Sequence, residues 1–140
     1  MNEIKDVILT RSERLQAGDV AGFQQYNAPQ VVEYSLAPPL VGPADGRDPK
    51  FLESWLTGFE APPRREVTRL EITADGDVAF ATSIDAMTAT PKGSSEEFTL
   101  WYRVTLGLRR VDGCWLVTHE HTSVPFHMDG SFRAAVGLEP

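Results

Sequence analysis

The stretch that decides the fold is residues 98–125, FTLWYRVTLGLRRVDGCWLVTHEHTSVP. Two segments rich in β-branched and aromatic residues, 98–110 and 114–125, lie on either side of Asp112-Gly113. Asp-Gly between two such segments is a strong signal for a β-hairpin, because glycine readily adopts the left-handed backbone that a tight turn requires. The stretch therefore predicts two long antiparallel strands joined by a tight turn.

The length of the turn decides which residues of the hairpin face each other. A three-residue loop, made of a type I turn followed by glycine, would pair Arg110 with Cys114 and place Arg103 opposite His121. A two-residue turn would shift the pairing by one position and place Val104 beside His121. We favour the first register.

In that register the two faces of the hairpin differ in chemistry, because side chains alternate along a strand. The first face mixes aromatic and hydrogen-bonding side chains, which suits a pocket wall. It holds Trp101, Arg103, Thr105, Trp115, Val117, His119, His121 and Ser123. The second face holds Tyr102, Val104, Leu106, Leu108, Leu116, Thr118, Glu120 and Thr122. No helix remains to cover its aliphatic block, so we expect this outer face to be buried in a homodimer; a half-exposed sheet is the alternative.

Two further strands precede this hairpin. Residues 65–74 and 77–90 lie on either side of a second Asp-Gly turn, and a looser connection leads from residue 90 to the hairpin of residues 98–125. A connection centred near Gly93 would place Asp85 on the same face as Arg103. The four strands together predict an antiparallel meander.

The N-terminal region is predicted to be mainly helical. Residues at three- and four-residue spacing form one stripe of an amphipathic helix that Gly18 ends. The stripe consists of Ile4, Val7, Ile8, Arg11 and Leu15. Asp19 is suited to cap a short second helix through Tyr26, and residues 30–36 are rich in the residue types of a strand.

A loop and a third helix complete the predicted elements. Residues 37–49 are rich in proline and glycine and predict a loop at the mouth of a cavity. Pro49 opens a helix that presents Trp55 and Phe59 on a broad apolar face. Helices followed by a strand meander indicate one α+β domain over residues 1–140, with the helices packed on one face of the sheet.

Composition excludes several classes of function. The chain has 140 residues and a formal net charge of −7, which disfavours binding to nucleic acid. Cys114 is the single cysteine, so we expect neither an internal disulfide nor a cysteine-based zinc site. We find no apolar run that predicts a signal peptide or a membrane span, so the expected location is the cytoplasm.

The order of elements is similar to that of the nuclear transport factor 2-like superfamily, especially its SnoaL-like and ketosteroid-isomerase-like branch. The resemblance covers nearly the whole chain and is carried by AGDVAGF at 17–23, APPLVGP at 37–43, GDVAFATS at 76–83, WYRVT at 101–105 and DGCWLVTHEHTSVPF at 112–126. It implies a cone-shaped, curved antiparallel sheet with N-terminal helices on its concave face. It also implies a pocket inside the cone, a frequent homodimer and no obligatory cofactor. Asp85 and Tyr34 have the chemistry of a ketosteroid isomerase site, yet neither stands in a motif that identifies it.

The candidate site follows from the first face of the hairpin. His119 and His121 can transfer protons near neutral pH, and Arg103 can bind a carboxylate or stabilise an enolate. Asp85 can orient an imidazole or pair with Arg103. The predicted substrate-binding residues are Trp101, Tyr34, Trp55, Phe59, Thr105 and Ser123. The alternatives are structural histidines, a simple Asp85–Arg103 ion pair and core tryptophans.

Two functions from different classes fit this site. The first is a cofactor-independent acid–base enzyme of the isomerase, cyclase or dehydratase type, acting on a hydrophobic carbonyl compound or a small acid. The second is a non-catalytic ligand-binding or oligomerisation module. His-x-His can ligate zinc, with Asp85 or Glu33 as a third ligand, but the neighbouring Arg103 opposes a cation. We therefore predict no metal.

Overall fold

The computed structural model describes residues 2–140 and has the predicted α+β architecture. Two helices and a strand come first, and a third helix leads into four long strands. The elements are α1 (Asn2–Gln16), α2 (Val20–Gln24), β1 (Asn27–Tyr34), α3 (Lys50–Leu56), β2 (Arg64–Asp75), β3 (Val78–Ala89), β4 (Phe98–Val111) and β5 (Cys114–Ser123). Among residues 2–140, no helix is both long and apolar enough to cross a membrane.

All five strands form one sheet in the order β1-β5-β4-β3-β2. Strands β2 to β5 form the predicted antiparallel meander. Strand β1 pairs with β5 in parallel, so the sheet is mixed rather than wholly antiparallel. The two strands are far apart in sequence, and no local turn between them sets their relative direction.

The core lies between α1 and one face of the sheet. Ile4 and Ile8 of α1 are buried together with Ala79 and Ala81 of β3, whose short side chains leave room for the helix. The other buried apolar members of this cluster are Met87, Tyr102, Val104, Leu106, Leu108, Trp115 and Val117. The predicted amphipathic stripe of the first helix therefore faces the sheet.

The register of the last hairpin follows the two-residue alternative next to the turn and differs from both predicted registers beyond Leu108. Its turn has two residues, so Val111 lies opposite Cys114 and Leu108 lies opposite Val117. The next pair joins Gly107 to His119, which leaves Thr118 as the extra residue of a β-bulge. Beyond the bulge, Thr105 pairs with His121, and Arg103 pairs with Ser123. The predicted pairing of Arg103 with His121 is wrong.

The bulge also changes which side chains of β5 face inward. Trp115 and Val117 are buried in the core, as expected for the inner face. Because Thr118 adds one residue, Glu120 and Thr122 then line the concave side. The imidazoles of His119 and His121 consequently lie on the convex side, where His121 is exposed. Strict alternation along β5 had placed Trp115, Val117, His119 and His121 on one face, with Glu120 and Thr122 on the other.

Gly107 is the residue of β4 that makes room for this bulge. A Cβ atom built at Gly107 would lie 3.2 Å from the Cβ of His119, which is tighter than an ordinary contact. The missing side chain lets the two strands stay paired where the register shifts.

On β4 the assignment of the two faces is reversed from the prediction. Tyr102, Val104, Leu106 and Leu108 are all buried on the inner face. The aliphatic block that we expected on the outside is therefore the core, and it gives no reason for a dimer. The outer face has exposed apolar side chains of its own, including Val32 and Phe80.

Candidate active site

A cavity of about 230 Å³ lies between the inner face of the sheet and the helices. Its walls are mostly apolar, with Leu15, Phe23, Leu36, Phe51, Leu52, Trp55, Met87 and Tyr102 among the lining residues. The polar lining residues with side-chain functional groups are Arg11, Gln24, Asn27, Glu33, Ser35, Asp45, Asp48, Arg65, Glu120 and Thr122. An apolar pocket with a few converging polar groups is the usual form of a small-molecule site.

The loop after β1 closes one side of the cavity and is held by two side chains behind it. Gln24 Nε2 donates a hydrogen bond of 2.8 Å to the carbonyl oxygen of Asp48. Asn27 Nδ2 donates one of 2.8 Å to the carbonyl oxygen of Gly46. A Cβ atom at Gly46 would lie 2.3 Å from the carbonyl oxygen of Ala28, so only glycine allows the loop to approach β1 this closely.

Arg11 brings a buried positive charge from α1 to the cavity wall. Its side chain is 7% exposed, and its Nη2 lies 2.5 Å from Glu120 Oε2. Nε and Nη2 also donate to Asn27 Oδ1 at 3.2 and 3.1 Å. The guanidinium lies over the ring of Phe23, 4.2 Å from its centroid. These contacts compensate the charge and hold the carboxylate of Glu120 in place.

A second buried ion pair lies on β2 and β3. Arg65 Nη2 lies 3.2 Å from Asp85 Oδ2, and the two side chains are 9% and 3% exposed. Ser83 Oγ donates to Asp85 Oδ1 at 2.7 Å, and the guanidinium lies 5.9 Å from the ring centroid of Tyr102. Within residues 2–140, Arg65 Nε is buried without a hydrogen-bond partner. The carboxylate of Asp85 is thus well satisfied, whereas the guanidinium is not.

Glu33 and Glu120 are neighbours on the parallel strands β1 and β5, and their pKa values are shifted in opposite directions. Burial and the charge of Glu120 raise the pKa of Glu33, against a smaller lowering by Arg11. Burial would also raise the pKa of Glu120, but Arg11 and Arg65 outweigh it and lower that pKa. Two carboxyl groups with separated pKa values are a recurrent sign of acid–base chemistry.

Tyr102 and Asp85 have raised pKa values on the same wall. Burial raises the pKa of Tyr102 to about 12, with Asp85 and Glu120 adding to the shift and Arg65 opposing it. The phenol therefore stays protonated at neutral pH and remains a hydrogen-bond donor. Burial also raises the pKa of Asp85, against the lowering by Ser83 and Arg65.

Most of the predicted site residues lie away from the cavity. The convex side carries His119, His121, Arg103, Thr105, Ser123, Trp101 and Tyr34. The ring of Tyr34 lies edge-on to both imidazoles, with centroids 5.3 and 5.4 Å apart. His119 Nδ1 lies 2.7 Å from the carbonyl oxygen of Val32. The prediction that these groups face the hollow is wrong for two reasons: the two-residue turn shifts β4 by one position, and the bulge in β5 turns His119, His121 and Ser123 outward.

Arg103 and Asp85 have other partners than the predicted ones. Arg103 is exposed, and its Nε donates to Ser123 Oγ at 3.1 Å. Asp85 lies opposite Tyr102 rather than near Trp101, so it shares the inner face and pairs with Arg65. The connection between β3 and β4 is one position off the register that we expected.

The two predicted aromatic residues of the third helix region take different places. Trp55 lines the cavity, and its role in binding a substrate stays a prediction. Phe59 packs edge-on against Trp55, with ring centroids 5.0 Å apart, and does not line the cavity. Phe59 therefore supports the wall from behind.

Sequence reasoning did not place Arg11, Glu33, Arg65, Tyr102 or Glu120 in the substrate site, although all five line the cavity. Arg11 gave a usable signal, since an arginine at a core-facing position of an amphipathic helix needs a buried partner. The other four depend on the register, which strict alternation cannot supply. Within residues 2–140, no three His, Cys, Asp or Glu side chains converge in a way that suits a metal ion.

Solved structures with the same fold include proteins of several bacteria. A nuclear transport factor 2-like protein of unknown function from Pseudomonas putida KT2440 has 26% identity and a TM-score of 0.85, with 99% of this chain and 95% of that chain covered. A protein named provisionally as a scytalone dehydratase, from Novosphingobium aromaticivorans, has 17% identity and a TM-score of 0.79, with coverages of 100% and 95%. A nuclear transport factor 2-like protein with a cystatin-like fold, from the same species, has 13% identity and a TM-score of 0.70, with coverages of 93% and 82%.

A search of curated proteins found no match to the chain. A family model described as the SnoaL-like domain matches residues 4–127, which include every helix and strand from α2 to β5 and nearly all of α1. The resemblance noted in the sequence is thereby confirmed, and the chain belongs to the SnoaL-like domain family.

Proposed function

We propose that this protein is a cofactor-independent acid–base enzyme that acts on a hydrophobic carbonyl compound or a small acid inside the cavity. The observation that carries the proposal is the pair Glu33 and Glu120, whose pKa values are separated at the wall of an apolar pocket. Glu33 is the proton-transferring group, because its raised pKa brings it closer to neutral pH. Glu120 stays ionised beside Arg11.

The reaction begins with removal of a proton from the carbon next to the carbonyl. The Glu33 carboxylate takes the proton, and the electron pair of the C–H bond moves into an enolate. The Tyr102 hydroxyl donates a hydrogen bond to the oxygen on which negative charge develops. Glu33 then returns the proton to another carbon in an isomerisation, or a β-hydroxyl leaves as hydroxide and takes up that proton as water in a dehydration.

The test measures exchange of α-protons without knowledge of the natural substrate. We would incubate the protein with 1-tetralone in D2O and follow loss of the α-proton signal by NMR. We expect catalysed exchange that falls by at least about 100-fold in Glu33→Gln and by about 10–100-fold in Tyr102→Phe. Glu66→Gln is the matched control, because Glu66 is exposed on β2. Equal rates for Glu33→Gln and the native protein would contradict the proposal.

The second candidate function is non-catalytic binding, and the two compensated ion pairs favour it. Arg11 is paired with Glu120 and Arg65 with Asp85, an arrangement that would also suit a stable scaffold around a ligand. Stabilisation of the protein by 1-tetralone without any proton exchange would favour this function.

We also propose a homodimer formed through the outer face of the sheet. Val32 is 46% and Phe80 51% exposed there, and Trp101 is half-buried on the same face. Burial of these side chains against a second copy supports association. A monomer at micromolar concentration in light scattering would contradict it. The cytoplasmic location stays a prediction.

A further inference from the structure

We propose that Arg65 binds the oxygen atom of the ligand, and that the cavity selects an uncharged carbonyl compound over a carboxylate of the same size. The proposal rests on the proposed function only in taking the same cavity as the ligand site. It narrows the two ligand classes, carbonyl compound and small acid, to one.

The first step is the unsatisfied guanidinium in the cavity wall. The side chain of Arg65 is 9% exposed and lines the cavity. Its Nη2 is used by Asp85, whereas Nε has no partner among residues 2–140. A buried donor without an acceptor is unfavourable, and an arginine offers its N–H groups in a planar fork. Nε itself is enclosed by protein atoms, so a ligand oxygen would accept a hydrogen bond from the guanidinium where the side chain lines the cavity.

The second step is the balance of charge around that oxygen. Arg11 and Arg65 are each compensated by one carboxylate, Glu120 and Asp85. Glu33 forms no ion pair within residues 2–140, so the five groups together have one negative charge in excess. A carboxylate ligand would add a second uncompensated negative charge to a half-buried site.

The third step is the pair of carboxylates in the loop that closes the cavity. Asp45 and Asp48 line the cavity, whereas Arg47 between them donates to the carbonyl oxygen of Asn27 and does not line it. The charges of the two carboxylates repel an approaching anion and leave an uncharged molecule unaffected. The excess charge of the interior and the carboxylates of this loop therefore both disfavour an anion.

The size of the cavity limits the ligand to a small molecule. A volume of about 230 Å³ is below the range of roughly 300–1,000 Å³ that holds drug-sized ligands. Phe23, Phe51 and Trp55 supply flat apolar surfaces. A ligand of one or two rings with one carbonyl oxygen fits these walls.

The binding experiment compares three probes of similar size, which are acetophenone, benzoate and benzylammonium. We would titrate each against the full-length protein and follow the ligand signals by NMR. We expect acetophenone to bind at least about 10-fold more tightly than benzoate. Benzoate binding as tightly as acetophenone, benzylammonium binding more tightly than acetophenone, or binding by none of the three would overturn the proposal.

Two adjacent arginines provide the variant and its control. Arg65→Lys keeps the charge beside Asp85 but replaces the planar guanidinium with a single ammonium group, so we expect acetophenone affinity to fall by about 10-fold or more. Arg64→Lys makes the same change on the exposed side of β2, where Arg64 pairs with Glu97, and we expect affinity within about 2-fold of the native value. Unchanged acetophenone binding in Arg65→Lys, with thermal unfolding also unchanged, would overturn the role of Arg65.

Glu33→Gln separates this proposal from the proposed function. We expect the variant to lose proton exchange, keep acetophenone binding and bind benzoate more tightly than the native protein does, because the excess negative charge is gone. Unchanged exclusion of benzoate would overturn the charge explanation. Unchanged proton exchange would contradict the proposed function alone.

Discussion

Replacement of Arg11 by leucine should show how strongly the buried charges of the cavity depend on one another. Arg11 is 6% exposed and forms two hydrogen bonds to Asn27 and an ion pair with Glu120. Its removal leaves the Glu120 carboxylate buried beside Glu33 without its nearest cation. Loss of one partner from a buried pair costs about 3–5 kcal/mol, so we expect the free energy of unfolding to fall by that amount.

Urea unfolding at pH 7 measures this loss, and a double variant separates its causes. In Arg11→Leu/Glu120→Leu both charges are gone, so we expect most of the lost stability to return. The exposed pair Arg110–Asp77 supplies the matched control, since Arg110→Leu should cost less than about 1 kcal/mol. A loss below about 1 kcal/mol in Arg11→Leu would refute the view that Glu120 depends on Arg11.

The pH dependence of Arg11→Leu gives a second, independent readout. The pKa of Glu120 is lower in the folded protein than its ordinary value of 4.5. The unfolded chain therefore binds this proton more readily, and the ionised carboxylate stabilises the fold above about pH 4.5. That contribution is lost as the pH falls through the lowered pKa. In Arg11→Leu the main cause of lowering is absent, so this part of the acid dependence should disappear.

Three further predictions follow from the geometry. Glu33→Gln should raise the free energy of unfolding at pH 7 by about 0.5 kcal/mol or more and leave it unchanged at pH 3, because a carboxyl with a raised pKa destabilises the fold only when ionised. Urea titrations at both pH values give the comparison. Gly107→Val should cost about 1–3 kcal/mol in the same titration, since its side chain would press on His119 across the bulge, whereas Gly137→Val should be neutral because nothing lies within 4 Å of a Cβ atom there. The double variant His119→Ala/His121→Ala should keep the rate of 1-tetralone proton exchange within about 3-fold of the native rate, because both rings face away from the cavity. A loss of that rate by about 100-fold would contradict this and would place the histidines in the catalytic site.

Local signals in the sequence predicted the elements well. The two Asp-Gly turns and the alternating strands gave the meander, and Arg11 stood in the apolar stripe that packs on the sheet. These features depend on short-range geometry, which residue type controls directly. The direction of β1 beside β5 depends on long-range packing, and no short motif carries it.

The site was mispredicted because the turn of the last hairpin is one residue shorter than we expected, which moves β4 by one position, and because β5 contains one extra residue. Thr118 is inserted at the bulge, so the positions beyond it change sides while those before it do not. Alternation alone cannot reveal such an insertion, and Gly107 was the only nearby hint of a close approach. The side chain of Glu120, which lies between the two histidines in the sequence, therefore points into the cavity, where we had predicted the imidazoles.

The most direct test of the central claim is a crystal structure of the protein soaked with 1-tetralone. We expect the ligand inside the cavity, with its carbonyl oxygen within hydrogen-bond distance of Arg65 or Tyr102 and its α-carbon against the Glu33 carboxylate. A ligand bound on the convex side beside His119 and His121, with the cavity empty, would contradict the assignment of the site.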